Sequence, residues 1–484
     1  MSSKRVTIDP FNRIEGDLRV EIEIQDQLVA KVRSSGVMFR GFERIMAGRD
    51  PMDALVITPR ICGICSVSHG VAAAKGLGQA LEPRVPDNAM YMKNAILGTE
   101  VAMSHLTHFY LLLSPDIINP AHKRAAAFEQ LEERLANMDG LSVMRAVKAR
   151  QSLLEIMGLL AGKWPNTLAI HPSGTTSTLN LSTKTRAMGI LQEFQAFLQN
   201  HFLGCPMDEW LDVVSMQRLE HWLSQPGHQS SDLGLFLALC LELGWDRIGR
   251  GPNRYLSYGG YELPGGDMWL KPGYYDGRFS PLDQSRITEH IGYSFFRDAV
   301  ENRHPLSGVT NPIAEKKNAY SWAKAPRYNK MTAEVGPLAR LFISGEPLIT
   351  DMMREIGPSV FTRMTARLRE MVLLTRQLAH WIEDIDPNEA FYASSSGRYR
   401  ETGIGLIEAA RGSLGHWMSM SSNLITNYQI VTPSAWNLSP RDEQEEMGPV
   451  EEALTGTTVA DPDNPVEVNL IIRSFDPCMS CTVH

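Results

Sequence analysis

Two Cys-x-x-Cys pairs stand near opposite ends of this 484-residue chain. Cys62 and Cys65 lie in Arg-Ile-Cys-Gly-Ile-Cys, and Cys478 and Cys481 in the closing Asp-Pro-Cys-Met-Ser-Cys-Thr-Val-His. If the four sulfurs share one site, the early part of the chain must meet its last residues. That requirement disfavours independent domains strung on linkers and predicts one interwoven unit. The spacing is not that of a zinc ribbon, whose second pair follows after roughly 15–20 residues. Soft thiolates admit zinc, iron–sulfur, copper(I), nickel or iron. A closed, four-coordinate structural zinc site is the plain alternative.

Only two other cysteines exist, Cys205 and Cys240. Each stands alone and is expected to pack in the core as a small hydrophobe. No disulfide framework of the secreted kind is visible, and the first residues carry no apolar h-region. The expected location is therefore cytoplasmic, with membrane association only through partners. A net charge of −8 argues against nucleic-acid binding. The most apolar run, Leu233 to Leu243, is about half of the ~20 residues that a bilayer span needs and reads as a buried helix.

Leu18 to Ile24 alternates with period two, turns at Gln25-Asp-Gln27 and resumes at Leu28, which predicts a hairpin. Helices are expected over Asn88–Leu113, capped by Asp87 and stopped at Ser114-Pro115, and over Val147–Leu160, Thr183–Phe202 and Val360–Ile382. Residues 245–285 read as irregular or β-rich, 427–445 as an extended segment, and 466–475 as a helix or strand. The fold class is α+β, mainly α. It comprises a single large helical-bundle domain over 1–484, with a β-rich N-terminal part (about 1–60), a helical core (about 61–484) and smaller peripheral β elements.

Other motifs narrow the metal. Asp9-Pro-Phe-Asn-Arg-Ile-Glu-Gly16 and Met38-Phe-Arg-Gly-Phe-Glu43 precede the first cysteine pair. Glu408-Ala-Ala-Arg-Gly412 and Asn427-Tyr-Gln-Ile-Val-Thr-Pro-Ser-Ala-Trp-Asn437 precede the second. Taken in order, these motifs resemble the large subunit of a nickel–iron hydrogenase, from residue 9 to residue 484. Stretches such as Leu106-Thr-His-Phe-Tyr and Gly415-His-Trp-Met-Ser resemble the cytoplasmic uptake and H2-sensing (regulatory) group. Two residues, His69 and Leu112, depart from the sensors' pattern.

The resemblance implies a chemistry for each motif. Cys62 and Cys478 would be terminal nickel ligands. Cys65 and Cys481 would bridge nickel to an iron carrying carbon monoxide and cyanide. The function implied is heterolytic splitting of H2, with an H2-sensing subunit signalling through a histidine kinase as the alternative. Glu15 would start the proton path, where burial must raise its pKa for it to relay. Arg411 would face the open site, and Ala410 stands where the family usually has proline. His69 would hydrogen-bond a bridging sulfur. Glu43, His484 and a backbone carbonyl near Ile430 would hold magnesium (or iron), a cation that favours oxygen ligands. Ile64 and Leu112 would line the gas route. His105 and His108, one helical turn apart, are expected to be satisfied core or interface histidines. With two cysteines left over, the chain cannot hold an iron–sulfur cluster. Electrons must leave through an iron–sulfur small subunit, in a heterodimer or a dimer of heterodimers, or through a further electron-transfer partner.

Overall fold

A computed structural model describes residues 3–136, 139–298, 302–394 and 397–484. The chain opens with a three-stranded antiparallel sheet, β1 (Ser3–Ile8), β2 (Leu18–Gln25) and β3 (Leu28–Gly36). The expected hairpin is β2–β3. Asp26 and Gln27 both take positive φ at its turn, which matches the strands' twist. Leu18, Val20, Ile22 and Ile24 are buried on one face.

The centre is helical. The helix α1 (Ser66–Leu81) starts directly after Cys65. The long α2 (Asp87–Thr107) packs against α3 (Leu141–Ala161) and α5 (Val360–Asp384), and α3 packs against α4 (Leu181–Phe197). Two expectations for α2 need correction. Pro86 occupies the cap position and Asp87 lies in the first turn, where its charge suits the helix dipole. The chain does not stop at Ser114-Pro115 either. It widens into a π turn over His108–Leu113 and continues through Ser114–Ile117, because proline at a first-turn position needs no N–H donor. The apolar run is a buried helix over Asp232–Glu242, as expected.

A second three-stranded antiparallel sheet lies inside the supposed helical core. It consists of β4 (Thr402–Ala409), β5 (Gly412–Ser421) and β6 (Leu424–Val431). It packs on α1 at very close range. A Cβ at Gly405 would fall 1.8 Å from the Ala72 carbonyl oxygen, so only glycine admits this approach. The 427–445 stretch is only partly extended. After β6, Thr432 caps a short helix over Pro433–Asn437 through its side-chain oxygen. Residues 255–280 form a further three-stranded antiparallel sheet, and Val466–Ser474 is helical.

The two ends of the chain are stitched together. The Glu15 carbonyl accepts hydrogen bonds from the N–H groups of Met479 (2.7 Å) and Ser480 (3.2 Å). Gly16 takes φ +80°, and a Cβ there would meet the Ser480 nitrogen at 2.6 Å. Arg473 donates to the carbonyls of Asn12 and Arg13, while Arg13 and Arg473 both pair with Asp116. Among the described residues, no helix is long and apolar enough to cross a membrane.

Candidate metal centre

This stitching delivers the four cysteines to one place. The Sγ atoms of Cys62, Cys65, Cys478 and Cys481 all lie within 4.8 Å of one another. Cys62 and Cys478 are 3.6 Å apart, Cys65 and Cys481 3.1 Å, and Cys478 and Cys481 3.1 Å. All four are buried. Cys65 sits at the N-terminus of α1. Cys478 is held by its N–H donating to Ser434 Oγ at 3.0 Å. The sulfhydryls of Cys481, Cys62 and Cys65 pull the Cys478 pKa down, helped by Arg411. Burial and its neighbouring sulfurs push Cys481 up. Such a buried set ionises fully only around a cation.

Arg411 lies at the β4–β5 turn, buried beside these sulfurs. Its Nε donates to the Asp476 carbonyl and its Nη2 to Asp476 Oδ1, both at 3.1 Å. Nη1 is buried with no partner among the described residues. An unpaired guanidinium donor in a dry site costs free energy unless an acceptor joins it. A thiolate-held group bearing anionic or polar ligands fits both observations.

Burial foremost, and then Cys62, raise the Glu15 pKa, while Arg411 and Arg40 oppose the shift. Arg13, two residues before Glu15, is engaged with Asp116. His69 is fully buried, and desolvation lowers its pKa to about 3. Among the described residues His69 Nδ1 shares a hydrogen bond with His416 Nε2 at 3.1 Å, and His416 Nδ1 meets the Tyr428 hydroxyl at 2.8 Å.

Glu43 and His484 do come together, with His484 Nε2 3.3 Å from Glu43 Oε1. Ile430 meets the same oxygen through its N–H at 2.9 Å. Burial acts against ionisation of Glu43, but Lys324, His484 and Thr310 outweigh it and hold its pKa at about 2. Sequence reasoning missed Lys324, whose ammonium lies 3.0 Å from Glu43, 3.3 Å from Glu289 and 2.7 Å from the Gln429 amide oxygen. It also missed Asp476, which joins Arg411 to Arg367, and the His416 relay. The Asp-Pro-Cys stretch was the available signal for Asp476.

Ile64 lies between the first two cysteines, partly buried. Leu112 lies in the π turn, and its carbonyl accepts from Arg13 Nη1 at 2.9 Å. His105 and His108 are buried core histidines, and among the described residues His108 Nδ1 has no partner. His105 bonds Glu370 and Arg367, and His108 bonds the Arg473 carbonyl.

Comparison with known proteins gives a uniform answer. The family model described as nickel-dependent hydrogenase matches residues 40–141 and 231–484. The chain is 31% identical to the periplasmic NiFeSe hydrogenase large subunit of Desulfomicrobium baculatum, over 99% of this chain and 95% of that protein. It is 29% identical to the hydrogenase-2 large chain of Escherichia coli, over 100% and 97%. A solved structure of the Desulfomicrobium baculatum NiFeSe hydrogenase superposes with a TM-score of 0.85 at 30% identity, covering all of both chains.

Proposed function

The chain belongs to the nickel-dependent hydrogenase family as a large subunit, and from that premise we propose that it is the catalytic subunit of an H2-oxidising heterodimer. The observation that carries this reading is the partnerless Arg411 Nη1 beside four buried, mutually close sulfurs. Cys62, Cys65, Cys478 and Cys481 would together hold a nickel–iron group through their four sulfurs. When bound, that group supplies heterolytic cleavage of H2.

The chain's own residues do the rest. Arg411 is held in plane by Asp476, so its free N–H is preorganised toward charge in the site. Glu15, with its pKa raised, accepts and passes on the proton. His69, kept neutral by burial, is positioned by His416 and supports the sulfur environment. Ile64 and Leu112 border the route by which gas arrives.

The Glu43–His484 corner would hold the second cation, magnesium or iron, beside the Lys324 ammonium. In an extended strand a residue's N–H and C=O leave by the same edge, so the Ile430 carbonyl faces Glu43 as its N–H does. Electrons pass to an iron–sulfur small subunit, and we place the complex in the cytoplasm, a reading supported by a sequence without a disulfide framework of the secreted kind.

The test is metal analysis and infrared spectroscopy of anaerobically purified complex. Nickel and iron near one each per chain, with carbon monoxide and cyanide bands, support the reading. Zinc alone, without such bands, defeats it. A slow, air-insensitive complex bound to a histidine kinase would favour H2 sensing instead.

A further inference from the structure

Away from the four-cysteine centre, a second group of ligand-type side chains converges. Cys205, Glu209 and His228 offer ligand atoms that all lie within 4.8 Å of one another. His228 Nε2 and Glu209 Oε1 are 3.1 Å apart. We propose that these three residues form a metal site for zinc or a similar borderline divalent cation, with its fourth position open to solvent.

The geometry suits a tetrahedral ion. With Zn–S about 2.3 Å and Zn–N or Zn–O about 2.0–2.2 Å, tetrahedral ligands stand about 3.4 Å (N to O) and about 3.6 Å (S to N or O) apart. The His228–Glu209 pair at 3.1 Å is already close to that spacing, and the Cys205 sulfur lies within 4.8 Å of both, so side-chain movements of about 1 Å or less close the set around an ion.

The backbone is built to bring the three together. Gly204 takes φ +70°, and a Cβ there would lie 2.7 Å from the Gly227 carbonyl oxygen. Two loops therefore touch at a point where only glycine fits, one leading into Cys205 and the other into His228.

Trp222 supports two of the ligands at once. Its carbonyl oxygen lies 2.9 Å from His228 Nδ1, which places the proton there and leaves the Nε2 lone pair aimed at the site. That is the outer hydrogen bond expected of a metal-binding imidazole. The Trp222 indole stacks flat on the His228 ring, with centroids 4.4 Å apart. Its buried N–H has no hydrogen-bond partner among the described residues. A thiolate at Cys205 would give that orphaned donor a charged acceptor. Cys205 is only 7% exposed, whereas the Glu209 side chain is 50% exposed. One ligand is thus anchored in the core and one faces water, leaving a route for the ion and a place for a water ligand.

The test uses the nickel-loaded complex, cleared of loosely held metal with a chelator and then titrated with Co2+ as an optical stand-in for Zn2+. The expected result is one saturable Co2+ site with a thiolate-to-cobalt absorption band. That band should vanish in Cys205→Ser, and affinity should fall at least about tenfold in His228→Gln, in line with the loss of a metal ligand or its support. H2 oxidation should be unchanged in both variants. Absence of saturable binding, or a band that survives Cys205→Ser, overturns the site. If Cys205→Ser fails to fold, Glu209→Gln at its half-exposed position serves instead, and an unchanged Co2+ affinity there overturns the three-ligand assignment.

Discussion

Replacing Arg411 with lysine keeps the charge and removes the shape. In the parent, two arms of the guanidinium are fixed on Asp476 at 3.1 Å, and the third, Nη1, is free. A lysine ammonium can take Asp476 Oδ1, but it has no rigid second arm to present to the sulfurs. Loss of one preorganised donor at a site of developing charge costs about 10²–10³-fold in kcat, or about 2.7–4 kcal/mol of barrier. The cost to the fold is smaller. The buried charge pair survives and one hydrogen bond disappears, worth about 1 kcal/mol. Arg411→Lys should therefore contain normal nickel, melt slightly earlier and turn over far more slowly in H2-dependent dye reduction, with KM nearly unchanged. Parental turnover in the variant would refute the reasoning. So would a rate loss that merely follows lost nickel, since Arg411 would then act in assembly.

Other substitutions separate the remaining roles. Cys62→Ser or Cys481→Ser should lose nickel, read by metal analysis, because each removes one sulfur from a compact set of four. Glu15→Gln should keep its metals but slow H/D exchange about 10²–10⁴-fold, the usual cost of a lost proton relay. Asp476 resists protonation: burial pushes its pKa up, but Arg411, with His108 and Arg367, pulls it down to about 2. A lowered folded-state pKa contributes stability above the unfolded value near 3.9, about 2 kcal/mol here, and this stability is lost as pH falls through about 2. The gap in thermal midpoint between the parent and Asp476→Asn should thus be widest above pH 4 and close toward pH 2. Leu112→Phe should narrow the gas route and slow inactivation by O2, measured as residual activity after timed exposure to air.

The cysteine pairs and flanking motifs carried most of the metal centre, because ligand chemistry demands particular side chains at particular places. The structure brings Glu15 and Arg411 near the four sulfurs and Glu43 next to His484. The motifs did not reveal Asp476, His416 or Lys324, whose partners are distant in sequence and whose side chains read locally as ordinary polar residues. The β4–β6 sheet was invisible for a related reason. Its central strand β5 is buried on both faces, so Ser413 to Met418 lacks the alternation that exposed the N-terminal hairpin. Pro115 misled because proline ends a helix interior yet tolerates a first-turn position, and only the π turn before it decides which applies. The relatives named by comparison include a periplasmic enzyme, so the motif-level likeness to the cytoplasmic sensing group is a weaker guide than the family itself.

The junction of Glu15 with Met479 and Ser480 also sets a clock. Cys65 and Cys481 are 416 positions apart. At about 5–20 residues per second, a ribosome needs roughly 20–80 s to travel from one to the other. For all that time the first pair is exposed to oxidants and to stray metals that bind thiols tightly. Any ion captured early by Cys62 and Cys65 would lack half of its ligands. The turn that carries Cys478 and Cys481 therefore completes the four-sulfur set long after the first pair is made, and its backbone bonds to Glu15 close it over that pair.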